Sequence, residues 1–267
     1  MSTKTWTPNP RTLIGMVHLA PLPGTPRSDR DPESIVDRAR REAALLVDAG
    51  FDAVLVENMH DTPYLRREVG PEIVATMTRA TRAAVETAEG RARVGVQVLA
   101  GANRAALAIA LAAGADFIRA EGFAYAAVAD EGLLEEADAG PLLRYRRTIG
   151  GDRIAIWSDV RKKHSAHAIT ADLGLADLVA GHVFMGSDAI VVTGTHTGAA
   201  ASIQDLEVAA NASDRPVVVG SGATPETLPG LLEHADAVIV GSAIKQDGDW
   251  RGDLCPDRIR KFVDARG

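Results

Sequence analysis

The sequence predicts an α/β protein built as a single (β/α)8 TIM barrel, and three observations carry that prediction. Short apolar runs of β type alternate with longer amphipathic patterns along nearly all of the 267 residues, the order of elements that gives parallel strands crossed by helices. The residues leading into successive strands alternate in charge. Arg11, Arg93, Arg153 and Arg215 precede the odd strands, and Asp52, Asp116, Asp188 and Asp236 precede the even ones. In a closed barrel these positions form a ring of opposite charges on the N-terminal face; the shuffled strand order of an open sheet gives no reason for the alternation. The same alternation suggests a two-strand unit repeated four times. Polar residues, finally, gather at the C-terminal ends of several strands, the face where barrel enzymes assemble their sites.

Taken in order, strands are expected at Leu13–Val17, Ala53–Val56, Val94–Leu99, Phe117–Ala120, Ile154–Trp157, Ala189–Val192, Val217–Val219 and Ala237–Val240. Helices are expected at Pro32–Ala49, Pro71–Ala88, Arg104–Ala113, Leu142–Thr148, Thr170–Gly181, Ile203–Ala212, Glu226–Glu233 and Pro256–Asp264. Pro32, Pro71 and Pro256 suit a first helical turn, where the missing N–H is no loss, and Gly50, Gly114 and Gly181 suit helix ends. Two connections are long, His18 to Asp31 and Glu121 to Gly140. Loops of that length in a compact barrel bind or cover something, and the acidic Asp130–Asp138 run reads as a solvated lid surface. No linker or second domain is evident.

An apolar content of 46% supports a core, with only 4% aromatic residues in it. The net charge of −7 argues against a nucleic-acid surface, since backbone phosphates select for basic patches. Residues 1–11 hold no apolar signal segment, and the longest helical apolar run, Ala105 to Ala115, is too short to cross a bilayer. A soluble cytoplasmic protein without membrane insertion is expected. Cys255, the single cysteine, rules out an intrachain disulfide and reads as an incidental thiol.

The densest polar cluster follows the fifth strand: Asp159, Arg161, Lys162, Lys163, His164, Ser165 and His167. Other strand ends supply His18, then Glu57, Asn58 and Asp61, then Gln97, then Arg119 and Glu121, then Thr193 and His196. A lone Asp or His at a strand end is more often a cap or turn residue than a catalyst. His18, Glu57, Glu121, Asp159 and His196, however, come from five strands and converge. Glu57, Glu121 and Asp159 are candidate ligands for a divalent cation, or two of them divide acid and base work. No organic cofactor is expected. After the last two strands come Gly220-Ser221-Gly222 and Gly241-Ser242, small residues that let backbone N–H groups approach an anion; Lys245 would add charge. A phosphorylated small molecule is the expected ligand.

These residues also carry a resemblance. Ile14-Gly15-Met16-Val17-His18-Leu19 with Pro21-Leu22-Pro23-Gly24, Glu57-Asn58-Met59 with Asp61, Pro63 and Tyr64, and Ala120-Glu121-Gly122-Phe123 resemble motifs of the BtpA/SgcQ family. So do Asp159-Val160 with Lys162-Lys163-His164-Ser165, Val192-Thr193-Gly194 with Thr197-Gly198, and Gly220-Ser221-Gly222. The family's first motif usually ends Gly-Ser-Pro, and Thr25 stands here instead of the serine. The resemblance implies a barrel of the ribulose-phosphate-binding type. One family name belongs to a photosystem I biogenesis factor, the other to a sugar-cluster product described as a proposed nucleosidase.

The leading reading is an enzyme acting on a phosphorylated sugar or nucleoside-like molecule: a nucleosidase, isomerase or lyase. Asp159 and Glu121 serve as acid and base, Lys162 or Lys163 stabilises negative charge, and His164 stands with them. His18, Glu57, Asn58, Asp61, Gln97, Thr193 and His196 bind substrate, and the two glycine–serine loops hold phosphate. A homo-oligomer is expected. Asp159→Asn should then abolish turnover with the melting temperature nearly unchanged. The alternatives are a non-catalytic assembly factor for a membrane complex such as photosystem I, marked by an exposed apolar patch, and a divalent-metal-dependent hydrolase.

Overall fold

A computed structural model describes residues 5–29, 31–161, 165–194 and 201–267. Eight parallel strands close into a barrel: β1 (Thr12–His18), β2 (Ala53–Glu57), β3 (Arg93–Gln97), β4 (Phe117–Ala120), β7 (Ala155–Asp159), β9 (Ala189–Val192), β10 (Val217–Val219) and β11 (Ala237–Val240). Closure is made by β1 on β11, from Thr12↔Ala237 to Gly15↔Val240. The helices are α1 (Pro32–Ala49), α2 (Pro71–Ala88), α3 (Asn103–Ala113), α4 (Ala139–Thr148), α5 (Leu175–Phe184), α6 (Ile203–Asn211), α7 (Leu228–Leu231) and α8 (Pro256–Arg266).

Side chains alternate between two cores, as the period of a strand demands. Ile14, Met16, Leu55, Phe117, Trp157, Val191, Val218 and Ile239 fill the barrel, while Leu13, Val17, Val54, Ile118, Ile156 and Ile190 face the helices. Trp6 closes the N-terminal end, 5.3 Å from the Phe117 ring and 5.2 Å from that of Trp157. Gly95 makes this possible, because a Cβ there would run into the Phe117 ring.

The alternating charges at the strand starts do a different job from the expected ring. Each aspartate clamps the strand before it at a single residue. Asp52 Oδ2 accepts from Leu13 N at 2.8 Å while Asp52 N donates to Leu13 O at 3.0 Å. Asp116 does the same to Val94 (2.9 and 2.7 Å), Asp188 to Ile156 (2.8 and 2.8 Å) and Asp236 to Val217 (2.9 and 2.8 Å). The carboxylate thus supplies an acceptor for an N–H in the opening residues of the strand, Leu13, Val94, Ile156 or Val217. Of the four arginines only Arg93 meets the ring's aspartate, Asp116 at 3.0 Å. Arg11 reaches the Arg266 carbonyl, Arg153 the Ala115 carbonyl at 2.7 Å, and Arg215 its neighbour Asp214. The fourfold unit is thus real in its aspartates and incomplete in its arginines.

Gly50 and Gly114 end their helices in the left-handed conformation, at φ 99° and 88°. Gly181 does not: it lies inside α5, where the Tyr125 ring packs onto it and leaves no room for a Cβ. The fourth-strand loop folds into a hairpin, β5 (Ala127–Ala129) with β6 (Gly132–Leu134), and β5 also pairs with β8 (Ser165–Ala166) from the loop after β7. This small antiparallel sheet lies over the C-terminal face. The first-strand loop, also expected to bind or cover something, buries Leu19, Ala20 and Leu22.

Candidate functional site

A cavity of about 620 Å³ opens at the C-terminal face of the barrel. Strand alternation decides what reaches it. His18 follows Ile14 and Met16 on the inward row, Glu57 follows Ala53 and Leu55, Gln97 follows Gly95, Arg119 follows Phe117, and Asp159 follows Ala155 and Trp157; all five line the cavity. His18, Glu57 and Gln97 are register neighbours across β1, β2 and β3. His18 Nε2 stands 3.5 Å from Glu57 Oε2. Glu121, just past β4, lines the cavity too, and the hairpin turn brings Asp130 and Glu131 over its mouth.

Arg119 and Asp159 form a buried two-pronged pair, with Nε to Oδ2 at 2.9 Å and Nη2 to Oδ1 at 2.7 Å. Nη1 continues to the Gly220 carbonyl at 3.3 Å. Burial works against the guanidinium charge, but Asp159, with Glu57 and Glu121 behind it, offsets the penalty and raises the pKa. Both Asp159 oxygens are therefore committed to the guanidinium, which suits an anchor for Arg119. Tyr64 reports the same field. Burial, then Glu57, Glu121, Glu131 and Asp61, push its pKa up, so the phenol stays protonated and donates to Met59 O at 2.7 Å.

Asn58 and Asp61, expected to bind substrate, brace the face from behind and do not line the cavity. Asn58 comes one residue after Glu57 and so points to the other side. It accepts from Leu99 N at 2.7 Å and donates to Asp61 Oδ2 at 3.0 Å, while Asp61 Oδ1 accepts from Leu22 N at 2.8 Å. Three loops are joined this way. Burial raises the pKa of Asp61 against those two hydrogen bonds. Thr193 also lies outside the cavity lining, its hydroxyl donating to Arg161 O at 3.0 Å. The base of the hairpin is held by Arg67, donating to Gly122 O at 3.1 Å and Glu136 O at 2.7 Å, and by Asn103, donating to Glu121 O at 2.8 Å. Arg66 reaches the Leu133 carbonyl farther out.

Gly220, Ser221, Gly222, Gly241 and Ser242 also line the cavity; β10 stands across the barrel from β3, so Ser221 faces Gln97, while Gly241 and Ser242 follow β11 on the other side of β1 from Glu57. Gly222 has φ +78°, a conformation that favours glycine. Gly220 has a further reason to be small: a Cβ there would crowd Thr193, Val191 and Arg119. Lys245 does not add charge to this wall. It is fully buried behind it, with Nζ donating to Gly252 O at 3.1 Å; burial lowers its pKa, against the pull of Glu42. The cation beside the loops is Arg258, from α8, which the sequence did not single out, and Trp250 joins it from the preceding loop. Neither has a local motif; only the return of the chain after β11 brings them to the face.

Among the described residues no three His, Cys, Asp or Glu side chains are gathered as a metal-binding set. Glu57, Glu121 and Asp159 share the cavity without forming one, because Arg119 takes both Asp159 oxygens. Lys162, Lys163, His164 and His196 lie outside the described residues.

Set against known proteins, residues 9–266 match the family described as the BtpA family. This chain belongs to the BtpA family. A Caenorhabditis elegans protein, uncharacterized and named as mitochondrial, is 41% identical over 254 residues, covering 94% of this chain and 91% of that one. The Synechocystis photosystem I biogenesis protein BtpA is 37% identical over 255 residues, covering 95% of this chain and 87% of its own length. The mitochondrial name shows that a cytoplasmic location is not general among such relatives. Among solved structures, thiamine phosphate pyrophosphorylase from Pyrococcus furiosus aligns with a TM-score of 0.58 at 12% identity, over 97% of this chain and 96% of that one, a likeness of fold alone. Among the described residues, no helix is long and apolar enough to cross a membrane.

Proposed function

We propose that this BtpA-family chain is an enzyme that cleaves the glycosidic bond of a phosphorylated, nucleoside-like small molecule bound in the C-terminal cavity. One observation carries the reading. Two buried polar atoms, Gln97 Oε1 and Ser221 Oγ, have no hydrogen-bond partner among the described residues, and both residues line the cavity from opposite walls. An unmet buried polar group costs about 1–3 kcal/mol, and a ligand that bridges the two walls removes that cost. The Ser221 side, with its glycines and Arg258, suits a phosphate. A structural relative whose name includes a phosphate compound supports that end by analogy of fold.

The other wall suits the reacting sugar. The carboxylates of Glu57, Glu121 and Glu131, with Asp61 behind them, set a negative field there, which adds to burial in raising the pKa of Tyr64. Such a field favours a transition state that gains positive charge, as a glycosyl centre does on losing its leaving group, over the enolate-type anions of isomerases and aldolases. Glu121 is assigned the acid–base step, Glu57 with His18 the sugar, and Asp159 the fixing of Arg119. Lys162, Lys163, His164 and His196 remain candidates on the motif alone.

Wild-type protein should melt at higher temperature with ribose 5-phosphate or a nucleoside monophosphate present, by about 2.7 kcal/mol of added stability at a hundredfold excess over Kd. Ser221→Asp, which sets a carboxylate against the phosphate, should remove that shift. No shift with any phosphorylated ligand would overturn the reading. It would favour instead an assembly factor, which has its own observation: Val128 and Leu133 pair across the hairpin, 43% and 40% exposed, and Phe184 at the end of α5 is 88% exposed.

A further inference from the structure

Resting on that reading, we propose that Trp250, together with Met59 and Tyr64, forms a subsite for a planar ring, so that the ligand is a nucleotide rather than a bare sugar phosphate. All three line the cavity, and Trp250 reaches the loop that carries Met59 and Tyr64 through its contact with His60. Tyr64 engages its hydroxyl with the Met59 carbonyl, so what it offers the cavity is its ring. Met59 adds a polarizable thioether, which pairs well with aromatic rings. Of the three tryptophans, Trp6 and Trp157 pack in the barrel interior and only Trp250 lines the cavity. The wall is thus flat and soft beside one built of glycine and serine. A ligand with hydroxyls and phosphate alone has nothing to place against it.

The loop that carries Trp250 is held in shape before any ligand arrives. Lys245 bridges Leu254 at its base, Gln246 N donates to Asp253 O at 2.9 Å, and buried Lys245 Nζ ties Gly252 O at 3.1 Å. Within it, Gly252 N donates to Asp249 O at 2.9 Å and Arg251 N to the Asp249 carboxylate at 3.0 Å. Gly252 sits tightly in this turn, where a Cβ would lie 3.1 Å from Gln246 O. At the tip, the Trp250 ring meets the His60 ring of the β2 loop at 4.9 Å, and the Arg251 guanidinium lies 4.9 Å from its centre. So braced, the indole loses little freedom on meeting a ligand, which is how a preorganised aromatic wall gains selectivity. The buried lysine behind the phosphate loops thereby acquires a purpose: it positions Trp250.

Stacking a base on an aromatic side chain contributes about ten- to hundredfold in affinity. Titrating the full chain with adenosine 5′-monophosphate and with ribose 5-phosphate, by calorimetry and by tryptophan fluorescence, tests the subsite. The nucleotide should bind at least about tenfold tighter and change the emission, whereas ribose 5-phosphate should leave it nearly unaltered. In Trp250→Leu the gap should collapse, with ribose 5-phosphate bound within about twofold of wild type; Trp250→Phe should restore part of it. Equal affinities in wild type, or an equal loss of both ligands in Trp250→Leu, would overturn the subsite and leave the phosphate reading standing. Binding of neither ligand, with Ser221→Asp also without effect, would overturn both.

Discussion

The two ends of the barrel are built from the same eight strands and treat polar groups in opposite ways. At the N-terminal end each odd strand has an opening residue whose N–H is met by an aspartate carboxylate and whose carbonyl takes that aspartate's own N–H, and Trp6 seals the bore. At the C-terminal end Gln97 Oε1 and Ser221 Oγ are buried without partners among the described residues, and the Arg119–Asp159 pair is kept out of water. One end is finished as a structure. The other keeps buried polar atoms with no partner among the described residues, and this contrast is the physical reason to look for function there.

The largest effect expected from testing this contrast is at Asp159. Strand-end position by itself predicts that Asp159→Asn leaves stability unchanged, but the carboxylate neutralises a guanidinium that is 7% exposed as a residue. Breaking a buried pair from one side destabilises by about 3–5 kcal/mol, because the remaining charge is stranded. For a chain of this size that is a fall of roughly ten degrees in Tm. Calorimetry should show this fall together with loss of ligand binding. An unchanged Tm would mean that the pair is not formed in solution and that Asp159 is free for chemistry after all.

A smaller effect is expected at the opposite end. Asp236 accepts from Val217 N and has no cation partner among the described ion pairs, so Asp236→Ala removes one charge-assisted bond, worth about 1.5–3 kcal/mol. Its signature is stability lost with ligand affinity intact. If affinity falls as well, the two ends are mechanically coupled and the contrast between them is too sharply drawn.

Much of this contrast is legible in the amino-acid sequence. Period-two alternation alone places His18, Glu57, Gln97, Arg119 and Asp159 on the inward row with Ile14, Leu55, Phe117 and Trp157. Applied strictly, the same rule excludes Asn58, one residue out of step with Glu57. The alternating aspartates are visible there, but their role is not, since charge pattern cannot distinguish a side-chain pair from a clamp on backbone. The hairpin sheet is hidden because three-residue strands have too little periodicity to read and β8 lends its edge from a distant segment. Lys245 misleads for a related reason: it follows Gly241-Ser242 closely in sequence, yet the short helical turn at Ser242–Ile244 carries it behind the wall. Trp250 and Arg258 need the tertiary return of the chain.

The smallest predicted effect discriminates best, because it has the opposite sign. Gln97 is 2% exposed, with an oxygen unmet among the described residues. Replacing an unsatisfied buried amide with an apolar chain of similar size removes a desolvation cost, so Gln97→Met should raise stability by about 1 kcal/mol and Tm by roughly 2–4 °C. The same change should weaken ligand binding by about tenfold, the value of one hydrogen bond the ligand no longer makes. A gain of stability with a loss of binding is what a functional site predicts and a structural one does not. If Gln97→Met instead lowers both, Gln97 belongs with the finished end of the barrel, and the orphaned oxygen no longer marks where the ligand lies.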